Sequence, residues 1–313
     1  MEASVLDKNN TVANQPGIWL RPPAKINLSL VVFAPRPDGY HDLHSIIAKV
    51  SLFDDLALNP SSSIGIDLRC TGQPCPSSKD NLVYRAAQLL ADYADITPAV
   101  QIRLHKRIPS GAGLGGASSD AASCLLGLNQ LWDLHLPRKQ LCHLAGQLGS
   151  DVPFFLYGPM SLCTGRGELV QSLPHRCRRS ILLVIPELSV PTAQVYQNYR
   201  HDAACSEDQM RRVNYFLRSG DLDGLVIQRI NSLEPGCMEL YPALGELRQK
   251  IENLGVGPLQ ISGSGSCLFA TYETKAEAAR WADMIQQHKL AQVQALSFAE
   301  QLEPFLEVHH ADF

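Results

Sequence analysis

Residues Lys106–Ala122 read KRIPSGAGLGGASSDAA, with Gly111, Gly113, Gly115 and Gly116 inside six residues. Glycine has the most backbone freedom to lose on ordering. So dense a cluster therefore marks positive-φ turns or a backbone that approaches something closely. The segment before it, VQIRLHKRI, has strand character, and the apolar run after it, SCLLGLNQLW, has helical character, so the loop opens a helix. A helix N-terminus carries unpaired N–H groups and a partial positive charge, which together make an anion site. A strand-to-helix turn that is merely rich in glycine is the plainer alternative.

Two phosphate-binding fingerprints can be weighed against this loop. Gly111-x-Gly113-x-x-Gly116 fits the dinucleotide pattern, and Asp133 lies at about the distance where that pattern needs an acidic residue ending a second strand, ~20 positions on. The intervening CLLGLNQLW is helical in character, which weakens that reading. The P-loop pattern needs Gly-Lys-Ser/Thr, whereas this chain has Gly116-Ala117-Ser118. If the loop holds phosphates, the cation comes from elsewhere.

The chain has 313 residues, 45% hydrophobic and 19% charged, the size and composition of about two globular domains. A net charge of −4 without a large basic stripe argues against nucleic acid, whose binding rests on phosphate neutralisation. The densest basic run, HRCRR (His175 to Arg179), reads as a solvated turn before an apolar strand. No stretch reaches the ~20 apolar residues of a membrane helix. The polar N-terminus lacks the core of a signal peptide and reads as a flexible lead-in over residues 1–21. Nine scattered cysteines without a Cys-x-x-Cys pair read as reduced thiols in a cytoplasmic protein. Cys70 and Cys75 flank a turn and could approach each other, but a functional disulfide is not expected. His41 and His44 stand three apart on a strand, on opposite faces, which disfavours a shared metal.

Further along the chain, PAKINLSLVV alternates, with Ala24, Ile26, Leu28 and Leu30 on one face and Lys25, Asn27 and Ser29 on the other. A lysine and an asparagine on one strand face can converge on a ligand, or simply face solvent. RPDGYH is a turn, and a second strand follows it. KDNLVYRAAQLLADYA and RKQLCHLAGQL read as helices. In GSDVPFFLYGP, Asp151 suits the N-cap of a short helix with Pro in its first turn, a role compatible with a carboxylate that also faces a cleft. GPMSLCTGRGELV reads as a hairpin turning at Gly165-Arg166-Gly167. The second half begins near Arg176 and alternates strands and helices, with a small-residue turn at Ser262-Gly263-Ser264-Gly265-Ser266. Both halves read as α+β.

Three separated segments, PAKINLSL, IPSGAGLGGASSDAA and ISGSGSC, resemble the three motifs of the GHMP kinases. PAKINL…RPDGYHDLHSI and GSDVPFF further resemble the branch that phosphorylates the 2-hydroxyl of 4-diphosphocytidyl-2-C-methyl-D-erythritol in the non-mevalonate isoprenoid pathway. The likeness runs from about Pro22 to the end, with Ala117 where many members have glycine.

The resemblance implies a two-domain GHMP kinase fold (22–175 and 176–313) with the active site between the domains. It implies ATP and Mg2+ as cofactors, with the ion riding on the nucleotide. It makes Lys25 and Asp151 catalytic and gives the nucleotide to Pro109, Ser110, Gly111, Ala112, Gly113, Leu114, Gly115, Gly116, Ala117, Ser118 and Ser119. The acceptor falls to Asn27, Tyr40, His41, Thr192, Tyr196, Gly263 and Gly265, with Tyr40 and Tyr196 sandwiching its cytosine. Asp120 is expected to do no more than complement the helix dipole. A small-molecule substrate is the only partner implied, and monomer and homodimer both stay open. A mevalonate- or homoserine-type kinase is the alternative, opposed by Tyr40-His41. A non-catalytic sensor of the same fold should have lost Lys25 or Asp151.

Overall fold

The computed structural model describes residues 16–76, 79–174, 177–299 and 307–309. Residues 1–15, most of the expected lead-in, lie outside them, as do residues 175 and 176, where the basic run begins and the boundary between the halves was expected. Within that expected lead-in the described residues are ordered, contrary to the expectation of a flexible segment. Gly17–Leu20 forms strand β1, with Ile18 and Leu20 buried in the core. Their alternation with Trp19 is the period of a half-buried strand.

The chain continues through β2 (Pro23–Pro35), β3 (His41–Phe53), β4 (Asp55–Pro60), β5 (Gly65–Gly72), α1 (Leu82–Ala94), β6 (Ala99–Lys106), α2 (Gly116–Leu131), α3 (Arg138–Leu148), β7 (Met160–Thr164) and β8 (Leu169–Ser172). A short 3₁₀ helix, Pro153–Leu156, stands between α3 and β7. The second half runs β9 (Ser180–Ile185), α4 (Thr192–Asn198), α5 (Ala203–Ser219), α6 (Leu222–Val226), α7 (Glu234–Leu240), α8 (Pro242–Ile251), β10 (Gln260–Ile261), β11 (Leu268–Tyr272), α9 (Lys275–Gln287), β12 (Gln292–Ser297) and β13 (Glu307–His309).

Three sheets result: β13-β1-β4-β6-β5, β2-β3-β7-β8, and β10-β11-β9-β12. Among the described strand pairs only β5–β6 is parallel. The fold is the α+β arrangement expected, and α2 leads into α3 rather than into a second strand, so the dinucleotide reading of the loop does not hold.

Strand β2 ties the halves together. Its Ala24, Ile26 and Leu28 share one core with Ile181 and Leu183 of β9 and Phe269 of β11. Leu30 does not share their face, contrary to the alternation. The β2–β3 register shifts between Asn27 and Ser29, and such a bulge moves every later side chain to the other side. Beyond it Val31 joins the shared core, while Leu30 and Val32 enter the core of the second half.

Beneath the glycine loop lies a buried ion cluster. Lys106 Nζ contacts Asp54 Oδ2 and stands 2.7 Å from Asp120 Oδ2. Asp54 Oδ1 accepts the N–H of Arg107 and, at 2.8 Å, that of Ile108. Asp120 therefore does not serve as a surface complement to the helix dipole. It lies beyond the first turn of α2 and is buried against a lysine. Burial pushes its carboxyl up to about 8, with Lys106 opposing and Asp54 adding to the rise. Removing one member of a buried ion cluster strands the others, a cost of about 3–5 kcal/mol. Lys106→Met is expected to lower the unfolding free energy by about 3 kcal/mol, the low end because Asp120 can take up a proton. Urea unfolding monitored by circular dichroism measures it, and a loss under about 1 kcal/mol would contradict the role given to the cluster.

Candidate active site

The loop between β6 and α2 alternates in both residue type and conformation. Gly111, Gly113 and Gly115 have φ of 71°, 76° and 69°, a region that favours glycine. Between them Ala112 and Leu114 are buried in the shared core. Their carbonyls accept the N–H of Cys267 at 3.2 Å and of Lys25 at 2.9 Å. The loop is thus stitched to the first and third motif segments at once. A Cβ on Gly113 would lie 2.8 Å from Gly265 O, and one on Gly115 would lie 3.0 Å from the Lys25 stem and the Phe155 ring. The glycines are needed for close approach between protein segments, a constraint that exists before any ligand is considered.

Gly115 caps α2 without a side-chain bond, and no acidic residue stands in the first turn. The N–H groups of Gly116, Ala117 and Ser118 precede the first intrahelical bond, from Ser119 N–H to Gly115 O at 2.9 Å. This is the open helix N-terminus that the loop sequence implied. Ser118 is half-buried and Ala117 exposed, so the methyl in place of glycine costs nothing here. Ser119 is fully buried, and its Oγ finds no partner among the described residues. Pro109 and Ser110 lie on the outer arm, where Ser110 Oγ donates to Pro74 O at 3.2 Å.

Lys25 and Asn27 do not face open solvent; they are 5% and 7% exposed. Lys25 Nζ donates to Asn27 Oδ1 at 2.8 Å, Asn27 Nδ2 to Ser45 Oγ at 2.8 Å, and Ser45 Oγ to Ser29 O at 2.7 Å. The lysine is held in one orientation and lies 3.8 Å from Asp151 Oδ2. Asp151 is not a helix cap. The short 3₁₀ helix takes Val152 as its N-cap and has no side-chain cap bond, because Asp151 sits one residue too early. Its carboxylate, 46% exposed, is directed to the lysine instead.

Lys25, Asn27, Leu30, Ser45, Gly113 and Asp151 line a cleft of about 240 Å³ between the halves. Thr192, Tyr196, Gly263 and Ser264 close it from the second half. Thr192 Oγ1 lies 2.9 Å from Ser264 Oγ, which ties α4 to the Ser262–Ser266 turn. Gly263 (φ 60°) passes so near Asn27 that a Cβ would stand 3.0 Å from its Oδ1, and Gly265 (φ 95°) packs on Ile261. The Tyr196 ring stands 5.9 Å from that of His41. Burial raises its phenol above the usual range, with Asp151 adding to the rise. His41 Nδ1 lies 2.7 Å from Phe33 O, a contact that requires N–H there. Tyr40, 54% exposed, lies under the Arg166 guanidinium at 4.9 Å. The structure brings Tyr196 to His41, and Tyr40 to Arg166 on the β7–β8 turn.

The GHMP kinases N terminal domain family matches residues 81–159, and the GHMP kinases C terminal family matches 217–290. The 4-diphosphocytidyl-2-C-methyl-D-erythritol kinase of Pelotomaculum thermopropionicum is 38% identical over 79% of this chain and 86% of its own. That of Syntrophotalea carbinolica is 40% identical over 80% and 88%. A crystal structure of 4-(cytidine 5'-diphospho)-2C-methyl-D-erythritol kinase superposes with a TM-score of 0.72 at 34% identity, covering 90% of this chain and 99% of that one. The chain belongs to the 4-diphosphocytidyl-2-C-methyl-D-erythritol kinases, within the GHMP kinases. A homoserine kinase from Cytophaga hutchinsonii, 18% identical over 98% of this chain and 100% of its own, shares the fold with a TM-score of 0.72.

As a GHMP kinase the chain is an ATP-dependent small-molecule kinase. Among the described residues no helix is long and apolar enough to cross a membrane. The structure adds residues to the candidate site that the sequence reading missed. Ser45 anchors Asn27 from the neighbouring strand, and Gly167 brings the β7–β8 turn to the cleft. The register of β2 against β3 would have located Ser45, but the bulge concealed it. Gly113→Ala is expected to cost more stability than Gly111→Ala, although both meet positive φ. At Gly113 the new Cβ strikes backbone oxygens, at Gly111 only the Ser189 hydroxyl at 3.2 Å. Thermal melts of the two variants compare them, and equal losses would mean that conformation alone dictates these glycines.

Proposed function

We propose that this kinase transfers the γ-phosphoryl group of ATP to the 2-hydroxyl of 4-diphosphocytidyl-2-C-methyl-D-erythritol, giving ADP and the 2-phosphate. The observation that carries this reading is the Lys25–Asp151 pair at 3.8 Å, at the foot of an open helix N-terminus, in a chain whose relatives bear that name. The acceptor is a tertiary alcohol, a poor nucleophile. Catalysis rests on positioning and on stabilising charge, because phosphoryl transfer has a loose transition state.

Asp151 accepts the hydroxyl proton as the oxygen forms its bond to the γ-phosphorus and the bond to the β-phosphate oxygen breaks, releasing ADP. Its freedom from capping leaves both carboxylate oxygens available for this. Lys25 stands between the carboxylate and the phosphate, and Asn27 fixes its direction. The loop from Pro109 to Ser119 receives the phosphates on main-chain N–H groups, within a nucleotide-binding half over 22–175. The second half, over 176–313, supplies the acceptor side. A Mg2+ ion accompanying the nucleotide fits the donor set, since the half-buried Ser118 hydroxyl is a hard oxygen of the kind it takes. When bound, the ion would neutralise phosphate charge.

The cytosine is received by Tyr196, His41 and Tyr40, with Thr192 and Gly263 and Gly265 shaping the passage to the reacting hydroxyl. His41, largely through its main-chain groups, reads the cytosine edge. Binding at this remote base helps to position the hydroxyl.

Three measurements test the reading. Asp151→Asn is expected to lower turnover by about 10²–10⁴-fold, the usual worth of a general base, while ATP binding and melting temperature barely move. Turnover within a few-fold of the parent would remove Asp151 from the chemistry. Assays with mevalonate and homoserine as acceptors should show no ATP consumption above background. Tyr196→Ala is expected to weaken binding of free CDP about ten-fold, equivalent to ~1.4 kcal/mol. Calorimetry with ATP as the control should show no change, and equal losses for both nucleotides would displace the base from this pocket.

A further inference from the structure

Lys49 of β3 is 2% exposed, and it does not line the cleft. Lysine is almost never buried so fully unless its charge is met. Here Nζ donates to Phe155 O at 3.0 Å and to Tyr157 O at 2.7 Å, and lies 5.8 Å from the centre of the Phe154 ring. Those carbonyls belong to the end of the short 3₁₀ helix Pro153–Leu156 and its C-cap. Carbonyls at a helix end lack intrahelical donors, and the negative end of the helix dipole favours a cation.

Across the β2–β3 ladder Lys49 is the direct partner of Lys25. Directly paired residues project from the same face of a sheet. Two neighbouring lysines thus reach the two ends of one segment. Lys25 meets Asp151 just before the helix, and Lys49 holds the carbonyls where it ends. Between these points the chain is wound by successive turn bonds: Val152 N–H to Gly149 O at 3.2 Å, Phe155 N–H to Val152 O at 3.2 Å, and Tyr157 N–H to Phe154 O at 3.1 Å. Displacement at one end is therefore transmitted to the other. Packing alone does not call for an ammonium at this place, since well-packed apolar residues replace buried charges at little or no loss of stability.

We propose that Lys49 is a positioning residue for phosphoryl transfer: by pinning the carboxyl end of the 149–157 segment it holds the Asp151 carboxylate at Lys25. This rests on the reading of Asp151 as the base. The test compares Lys49→Met with the parent and with Asp151→Asn. It measures kcat and KM for ATP and for 4-diphosphocytidyl-2-C-methyl-D-erythritol per folded molecule, well below the melting transition. It also follows amide hydrogen exchange segment by segment.

Lys49→Met is expected to lower kcat by about 10- to 100-fold, the penalty of a small misplacement of a reacting group. KM for ATP should stay within about two-fold, since the nucleotide loop is untouched, and exchange should quicken in 149–157 alone. Lys49→Gln, which keeps an N–H donor, should fall between Met and the parent, and it carries the test if the Met variant does not fold. A kcat per folded molecule equal to the parent's, with only the melting temperature lowered, would overturn the proposal and leave Lys49 a fold residue. High turnover in Asp151→Asn would instead overturn the underlying reading, so the two failures are distinct.

Discussion

The cleft depends on two main-chain hydrogen bonds, from Lys25 N–H to Leu114 O and from Cys267 N–H to Ala112 O. They make the glycine loop a bridge between a strand of the first half and a turn of the second. The carbonyls of Ala112 and Leu114 reach opposite neighbours, and the glycines between and beside them, Gly111, Gly113 and Gly115, take left-handed conformations. The side chains of Ala112 and Leu114 then enter the shared core as anchors. The G-A-G-L-G order is a structural code before it is a binding code. Its by-product is an α2 N-terminus left uncapped, held rigidly at the mouth of the cleft.

Three buried lysines surround this bridge, and their partners divide their work. Lys106 contacts two carboxylates, so its charge is matched within the cluster. Burial alone would lower its proton affinity, yet Asp120 and Asp54 reverse the sign and raise it. Lys49 meets neutral carbonyls at fixed distance, which suits it to hold a segment in place. Lys25 has a neutral amide at 2.8 Å and a half-exposed carboxylate at 3.8 Å. Of the three it alone lines the cleft, with its charge met by a carboxylate that is itself half-exposed. A buried cation with distant compensation gives the strongest field to an incoming phosphate, because low-dielectric surroundings screen it least.

Much of this was legible in the sequence because it rests on local rules. The glycine spacing announced an open helix start, and the alternation of β2 put Lys25 and Asn27 on one face. The α+β order of elements followed from hydrophobic period. The misreadings came from non-local causes. Leu30 changes face because of a bulge that is visible only when β2 meets β3. Asp151 matched the composition of a helix cap, but the helix begins one residue later, with Val152 as its cap. Asp120 has the sequence position of a dipole partner and the environment of a buried acid. Its neighbours, Lys106 from β6 and Asp54 from the β3–β4 junction, are far apart in the chain. Strand β1 was hidden in a polar lead-in, since four residues are too few to show a period.

The three shared motifs cannot choose the acceptor. A homoserine kinase has the same fold, and all of these kinases must solve the same phosphate problem. Discrimination has to arise where a chemically different acceptor would touch different groups. The candidate for that place in this chain is the region of the turn after β2, the β7–β8 turn and α4, where Tyr196 meets His41 and Arg166 meets Tyr40. Leu43 N–H donates to Gly165 O at 2.7 Å, so the β7–β8 turn is bonded to the same strand that carries His41. The β7–β8 turn also carries Gly167 to the cleft beside Asp151. The elements that would read the distant base are therefore joined through short backbone connections to the carboxylate proposed as the base. On the proposed mechanism a remote contact contributes to turnover as well as to binding, since only a correctly seated acceptor would place its hydroxyl between Asp151 and the phosphate.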